Sequence, residues 1–282
     1  MSMIARSLDC LGPKGFHRLA YWEWPGPPGA PTVLCVHGLT RNGRDFDALA
    51  EALSARCRVV CPDIAGRGKS EWLSDPADYG YPLYLADMAA LIARLDVVEV
   101  DWVGTSMGGL IGMMLASRPK APIRRMVIND VGPLIAKEGL ARIGSYVGRD
   151  PSFRDLAELE ATLRQVAASF GPLGDAQWRH LATHSARKKP DGSLGFAYDP
   201  HIGDPFRAAE PADIDLWAAW DAVRCATLVI RGAESDLLRR ADAEAMTRRG
   251  PHARLMEFPG IGHAPALMAP EQIAAIRDFL LG

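Results

Sequence analysis

Between Val97 and Pro119 the chain reads VVEVDWVGTSMGGLIGMMLASRP, and this stretch constrains the fold more tightly than any other. Its first half has the apolar density of a buried strand, and its second half reads as a helix. Gly104-Thr105-Ser106-Met107-Gly108 lies between them. A chain that passes from strand to helix over so few residues turns sharply enough to crowd its own backbone. Glycine at each end of the pentapeptide removes the offending Cβ. Ser106 then projects from the strand end, with the helix N-terminus aimed at its oxygen. G-x-S-x-G also occurs by chance in glycine-rich loops, and a serine there can simply cap a helix. At a strand-to-helix junction it is the setting of a nucleophile.

The rest of the chain repeats the strand-then-helix rhythm. Thr32–Val36, Arg58–Pro62, Arg125–Asp130, Thr227–Arg231 and Arg254–Phe258 are short apolar runs, the mark of strands covered on both faces. Helical spacing fills Phe46–Leu53, Tyr84–Leu95, residues 239–249 and Pro270–Leu281. Such alternation implies right-handed crossovers and a mainly parallel sheet, with ligands bound beyond the carboxyl ends of the strands. His37, Asp63, Ser106 and Asp130 all fall at those ends. At the start, residues 3–9 and 16–24 flank Gly12-Pro13-Lys14-Gly15 and predict an antiparallel hairpin at a sheet edge. Between Val131 and about Asp221 the rhythm breaks into helical patterns near 134–147, 152–170 and 174–186, then a Pro/Gly/Asp-rich loop at 190–205. The sheet resumes afterwards, so the division predicted is a core of residues 1–131 and 222–282 with a helical cap inserted at 132–221. The scattered aromatics of the cap are candidates for an apolar substrate pocket, or for the cap's own core.

Composition narrows the partners. A formal net charge of −2 with both signs interspersed gives no footprint for nucleic acid. No apolar run reaches membrane-span or signal-peptide length. Five cysteines lack disulfide-framework spacing, and Cys57 and Cys61 have no histidine beside them to complete a metal site. A cytoplasmic enzyme without metal is the expectation; monomer and homodimer remain equally open.

A serine hydroxyl needs a base, and the base an orienting carboxylate. Of seven histidines, His263 lies in Pro259-Gly260-Ile261-Gly262-His263, straight after the last strand and on the rim of Ser106. His37 abuts Gly38 and is read as part of a turn that shapes the oxyanion site. Asp236 and Asp130 each follow a strand and each satisfy the order Ser…Asp…His. Asp236 is favoured because its strand should neighbour the one that delivers the histidine; Asp130 is the alternative and Glu234 a third. Asp63, in Asp-x-x-Gly-x-Gly-x-Ser, reads as the anchor of a tight loop. The oxyanion would sit on the backbone N–H groups of Leu39 and Met107, whose side chains are then incidental.

The motifs VHGLT, PDIAGRGKS, GTSMGG, RGAESDLL and PGIGHAP, in this order, resemble the α/β-hydrolase superfamily in its serine-hydrolase form over about Pro31 to Leu281. The resemblance implies an eight-stranded sheet with helices on both faces, an inserted cap, a catalytic Ser106, Asp236 and His263, and no cofactor. Serine at 106 argues against the dehalogenase and epoxide-hydrolase branches, and His37-Gly38-Leu39-Thr40 differs from the Ser-Gly-Pro-Gly loop of carbon–carbon bond hydrolases. Asn129-Asp130-Val131-Gly132-Pro133, with Asp191-Gly192 and Tyr198-Asp199-Pro200, is similar to bacterial intracellular esterases, some of which also act on aliphatic polyesters. The implied activity is hydrolysis of a small-molecule carboxylic ester or polyester oligomer. A lactonase or acyltransferase uses the same machinery, and a non-catalytic ligand-binding fold is the rival outside the enzymes.

Overall fold

The computed structural model describes residues 2–208, 210 and 212–282. Met1, in the predicted core, and Ala209 and Pro211, in the predicted insertion, lie outside the described residues. The centre is an eight-stranded sheet of β1 (Ile4–Gly12), β2 (Gly15–Trp24), β3 (Thr32–Val36), β4 (Arg58–Pro62), β5 (Val100–Thr105), β6 (Ile123–Asn129), β7 (Ala226–Gly232) and β8 (Arg254–Phe258). Along the sheet they run β1-β2-β4-β3-β5-β6-β7-β8. β1 and β2 form the edge hairpin, antiparallel from Ile4–Glu23 to Gly12–Gly15, and β2 also pairs antiparallel with β4. All other neighbours are parallel.

This order contains one reversal that matters for function. After β3 the chain crosses to β4 on one side, then returns to β5 on the other side of β3. The loops beyond β3 and β5 therefore diverge, and a crevice opens between them at the carboxyl ends. Leu39 follows β3 and Ser106 follows β5, so the switch point brings together the two positions that the oxyanion hypothesis requires.

Helices α2 (Tyr81–Arg94), α3 (Met107–Ala116), α8 (Trp217–Ala222) and α9 (Arg240–Met246) cover one face; α1 (Asp47–Leu53) and α10 (Pro270–Leu281) cover the other. Along β3, Leu34 and Val36 pack into the first layer while Val33 and Cys35 pack into the second. That two-sided burial is why TVLCV shows no polar alternation.

Between β6 and β7 lie α4 (Lys137–Gly144), α5 (Leu156–Val166), α6 (Asp175–Ser185), α7 (Asp204–Ala208) and α8. Helix α4 starts later than the pattern near 134 predicts, because Leu134–Ile135 pair as a short strand with Ile214–Asp215. The loop at 190–205 is partly a hairpin, Ala186–Lys188 against Leu194–Phe196. Both differences are long-range or turn-closed pairings that local periodicity does not register. Helices α5 and α6 enclose a small apolar cluster that includes Phe153, Leu159, Leu163, Trp178 and Leu181. Trp220, near the predicted end of the insertion, is fully buried in the main core, and its indole donates to the Arg249 carbonyl at 3.1 Å. No described helix is long and apolar enough to cross a membrane.

Candidate active site

Ser106 is a single-residue junction between β5 and α3, with φ 51° and ψ −114°. A non-glycine residue held there costs about 1–3 kcal/mol and persists only where its surroundings over-determine it. Three hydrogen bonds do so. Ser106 N–H donates to Asn129 C=O at 2.9 Å, Leu110 N–H donates to Ser106 C=O at 3.0 Å, and the buried Trp102 indole donates to Gly108 C=O at 3.0 Å. A Cβ at Gly104 would overlap the Gly108 carbonyl, and one at Gly108 would overlap the Val36 carbonyl. Both glycines are therefore required by close packing of the elbow on its own strand and on β3.

His263 arrives on the loop after β8, as predicted, and its ring joins two partners. Nε2 lies 3.0 Å from Ser106 Oγ, and Nδ1 lies 2.8 Å from Asp130 Oδ2. Because Asp130 accepts only, Nδ1 carries the proton and Nε2 is free to accept from the serine hydroxyl. Asp130 is fully buried at φ 57°, and it accepts two further bonds, from Gly232 N–H at 2.8 Å and Ser235 Oγ–H at 2.5 Å.

The preference for Asp236 is corrected by these contacts. Asp236 is exposed and its carboxylate pairs with Arg142, Oδ2 to Nε at 2.5 Å. Glu234 is also exposed, and its backbone N–H donates to Ile261 C=O. The strand that bears Asp236 does neighbour β8, as the preference assumed. Its loop, however, turns Ser235 inward and Asp236 outward, so it delivers a hydroxyl to Asp130 rather than a carboxylate to His263. Ser235 was missed in the sequence.

The loop after β3 is set by a buried imidazole. His37 Nε2 accepts from Ile64 N–H at 2.9 Å, so Nδ1–H donates to Gly38 C=O at 2.7 Å. Burial holds its pKa down to about 4, which keeps the ring neutral in this tautomer. A trans peptide points its N–H opposite its carbonyl, so fixing Gly38 C=O also fixes the Leu39 N–H. Among the described residues the amides of Leu39 and Met107 donate to no protein acceptor, and both residues line the same cavity as Ser106. The Met107 side chain, expected from the sequence to be incidental, has one polar neighbour. Its sulfur lies 3.7 Å from Nη2 of Arg67, whose Nε donates to Leu39 C=O at 2.9 Å. Asp63 anchors the loop, as read from its motif, by accepting from Gly43 N–H at 2.7 Å and Lys69 N–H at 2.8 Å; burial still pushes its pKa up to about 6.

The cavity beside Ser106 has a volume of about 330 Å³ and a mostly apolar wall. Leu110, Val131 and Leu237 come from the core; Ile135, Leu140, Ile143 and Phe206 come from the insertion. Tyr81 and Glu210 are its polar side groups. Burial raises the Tyr81 phenol pKa, so the hydroxyl is a donor at neutral pH. Among the insertion's aromatics only Phe206 lines this cavity. Phe153 packs edge-on against Phe196 at 5.2 Å, within the insertion's own packing. Ser169 also ties the segment between β6 and β7 to the His263 loop: Gly262 N–H donates to Ser169 C=O at 2.9 Å, and Ser169 Oγ–H donates to His263 C=O.

Two other groups have metal-ligand chemistry. Cys10, His17 and Asp87 are buried together, with His17 Nε2 bonded to Asp87 Oδ2 at 3.0 Å across the edge hairpin and α2. Asp47, His180 and His184 lie between α1 and α6, where His180 Nε2 bonds the Arg44 carbonyl at 2.9 Å and Asp47 pairs with Arg44. Neither group includes a residue of the Ser106 site.

Comparison with known proteins bears on the family and the fold. Residues 33–276 match the model of the alpha/beta hydrolase family. The chain is 47% identical to a 3-hydroxybutyrate-oligomer hydrolase of Cupriavidus necator, over 98% of this chain and 97% of that one. Among solved structures, an alpha/beta hydrolase from Novosphingobium aromaticivorans superposes with a TM-score of 0.88 at 38% identity, covering 99% of this chain and 98% of the other. A Rickettsia typhi protein does so with a TM-score of 0.91 at 32% identity, covering 99% of each.

Proposed function

The chain belongs to the alpha/beta hydrolase family, and from that premise we propose that it cleaves oligomers of short hydroxy acids at their ester bonds. Carboxylic-ester hydrolysis is its activity; the oligomeric substrate and the residue roles are the proposed part. One observation carries the roles: an unbroken hydrogen-bonded chain from Ser106 through His263 to buried Asp130, opening on an apolar cavity.

In this reading Ser106 Oγ attacks the acyl carbonyl while His263 Nε2 takes its proton. Asp130 holds Nδ1–H and stabilises the imidazolium. The oxygen that becomes negative lies against the Leu39 and Met107 amides, which are already oriented and cost no reorganisation. His263 then protonates the departing alcohol, and the acyl-enzyme forms. Water then gives one proton to His263 as its oxygen attacks the acyl carbon, and His263 returns that proton to Ser106 Oγ as the C–O bond breaks and the acid leaves.

The substrate class draws on the 47% identical relative, whose described activity is on 3-hydroxybutyrate oligomers. The cavity supports it in chemistry: apolar walls suit methyl-bearing repeats, and the Tyr81 hydroxyl can donate to a repeat carbonyl. Residues 132–221 would then act as a cap whose inner side chains close over the chain being cut. Five unpaired cysteines support a reducing, cytoplasmic setting.

The test is turnover of 3-hydroxybutyrate dimer and trimer beside p-nitrophenyl esters and lactones, with organophosphonate labelling. Ser106→Ala should lower kcat on the order of a million-fold and abolish labelling. An unlabelled Ser106 sinks the nucleophile assignment. A wild-type enzyme that prefers a lactone to every linear oligomer sinks the substrate class.

A further inference from the structure

Arg67 is a feature of the rim that the mechanism above does not use. It follows β4 in the Asp63–Ser70 loop, between Gly66 and Gly68, both at positive φ. Its side chain is fully buried, yet no described carboxylate lies within 4.0 Å of its guanidinium. Its donors go elsewhere: Nε to Leu39 C=O at 2.9 Å, Nη1 to Ala65 C=O and Tyr84 Oη, both at 2.8 Å, and Nη2 toward Met107 Sδ at 3.7 Å. The rings of Tyr79 and Tyr84 lie 5.8 and 5.1 Å away.

An isolated cation in a protein interior is expensive, and carbonyls and aromatic faces repay only part of that. Filling space or tying a loop needs no charge. What distinguishes this position is that the guanidinium contacts both Leu39 and Met107, the two residues that line the Ser106 cavity with amides donating to no described protein acceptor. His37 holds the peptide that carries the Leu39 N–H, and Arg67 holds Leu39's own carbonyl.

We infer that Arg67 is a positioning residue for the oxyanion site, a buried cation whose counter-charge arrives only with the tetrahedral intermediate. This rests on the reading of Ser106 as nucleophile. In the ground state the substrate carbonyl is neutral and the cation stays uncompensated. In the transition state the carbonyl oxygen becomes anionic beside the Leu39 and Met107 amides, and attraction to Arg67 acts through a low-dielectric path. An interaction stronger in the transition state than in the bound substrate raises kcat rather than lowering KM.

Arg67→Met and Arg67→Lys separate charge from packing. Both are compared with wild type for kcat per phosphonate-titrated serine, KM, phosphonylation rate and melting temperature. Arg67→Met should lose about 100-fold in kcat and in phosphonylation rate, the scale of one lost oxyanion donor, with KM within about 3-fold. Arg67→Lys keeps the charge but not the fork and should recover about 10-fold of that loss. A purely structural residue would lower the melting temperature and the number of titratable sites but leave kcat per site unchanged. If Arg67→Met folds and keeps kcat per site within about 3-fold, or loses only KM, the inference fails. Should it not fold, Arg67→Gln, which keeps hydrogen-bond donors without the charge, decides instead: a kcat loss of about 10-fold or more at constant KM supports the role, and wild-type kcat per site removes it. A wild-type enzyme that is never labelled overturns the Ser106 reading and this inference together; a labelled, active wild type with unaffected Arg67 variants overturns this inference only.

Discussion

The loops beyond β6 and β7 leave adjacent parallel strands, each carries an aspartate, and the two aspartates have opposite surroundings. Asp130 is fully buried and accepts from a ring N–H, a backbone N–H and a hydroxyl. Asp236 is exposed at the side chain by 54% and meets an arginine that is itself 40% exposed. Sequence order admits either as the partner of His263. The difference lies in who supplies the donors: Asp130 takes two of its three from the end of β7 and the loop that carries Asp236, through Gly232 and Ser235. One loop gives the carboxylate, and its neighbour gives hydrogen bonds that hold it aimed at His263. A buried polar group needs such partners, and of the two aspartates it is Asp130 that has them and reaches His263.

The pair of variants Asp130→Asn and Asp236→Asn puts the largest effect on this contrast. Asp130→Asn keeps shape but replaces an acceptor by an amide that can favour the wrong His263 tautomer. Steady-state kinetics should show a kcat loss of about 10⁴-fold. Asp236→Asn should stay within about 2-fold, since it exchanges only a solvated ion pair. A larger loss at Asp236 would break the comparison outright.

Much of this was legible in the chain. The parallel sheet, the edge hairpin, the elbow, His263 and the loop anchor Asp63 all follow from patterns a few residues long. Buried strands are apolar on both faces, and a sharp turn demands glycine. The acid was not legible, because whether an aspartate at a strand end turns inward depends on its own backbone, φ 57° at Asp130, and on donors 102 and 105 residues away. Arg67 was visible within PDIAGRGKS, but nothing in that motif says that its guanidinium lacks an acid. The start of α4 was displaced by a pairing of Ile135 with Ile214, again across the insertion.

Ser235 sharpens the comparison at intermediate size. Its hydroxyl donates to Asp130 at 2.5 Å and accepts from Leu237 and Leu238 N–H at 3.3 and 3.1 Å. Ser235→Ala leaves these buried groups short of a partner, which should destabilise the fold by about 1–3 kcal/mol in denaturant titration. It should also lower kcat by roughly 10-fold through a looser Asp130. Ser235→Thr retains the hydroxyl and should restore most of the rate. Lost stability with an unchanged kcat would mean that Gly232 N–H alone orients the carboxylate.

The smallest effect belongs to Arg142→Ala, on the exposed side of the comparison. The pair joins α4 of the insertion to the loop after β7, and each partner is followed or flanked by cavity-lining residues: Leu140 and Ile143 beside Arg142, Leu237 beside Asp236. Both ends are more than a third exposed, so water and salt screen the attraction, and such pairs are worth about 0–1 kcal/mol. The melting temperature should fall by no more than about 2–4 °C for a chain of this length, and less at high ionic strength. Turnover of p-nitrophenyl acetate should be unchanged, because no group that handles the proton has moved. The informative readout is KM for a long oligomer compared with a short ester, because residues beside both partners line the cavity. A rise confined to long substrates would make the Arg142–Asp236 pair a latch on the cap, and Asp236 a substrate-range residue although it does not reach His263. An equal, negligible change for short and long substrates would leave it an ordinary surface pair, and the division between the two aspartates would then be complete.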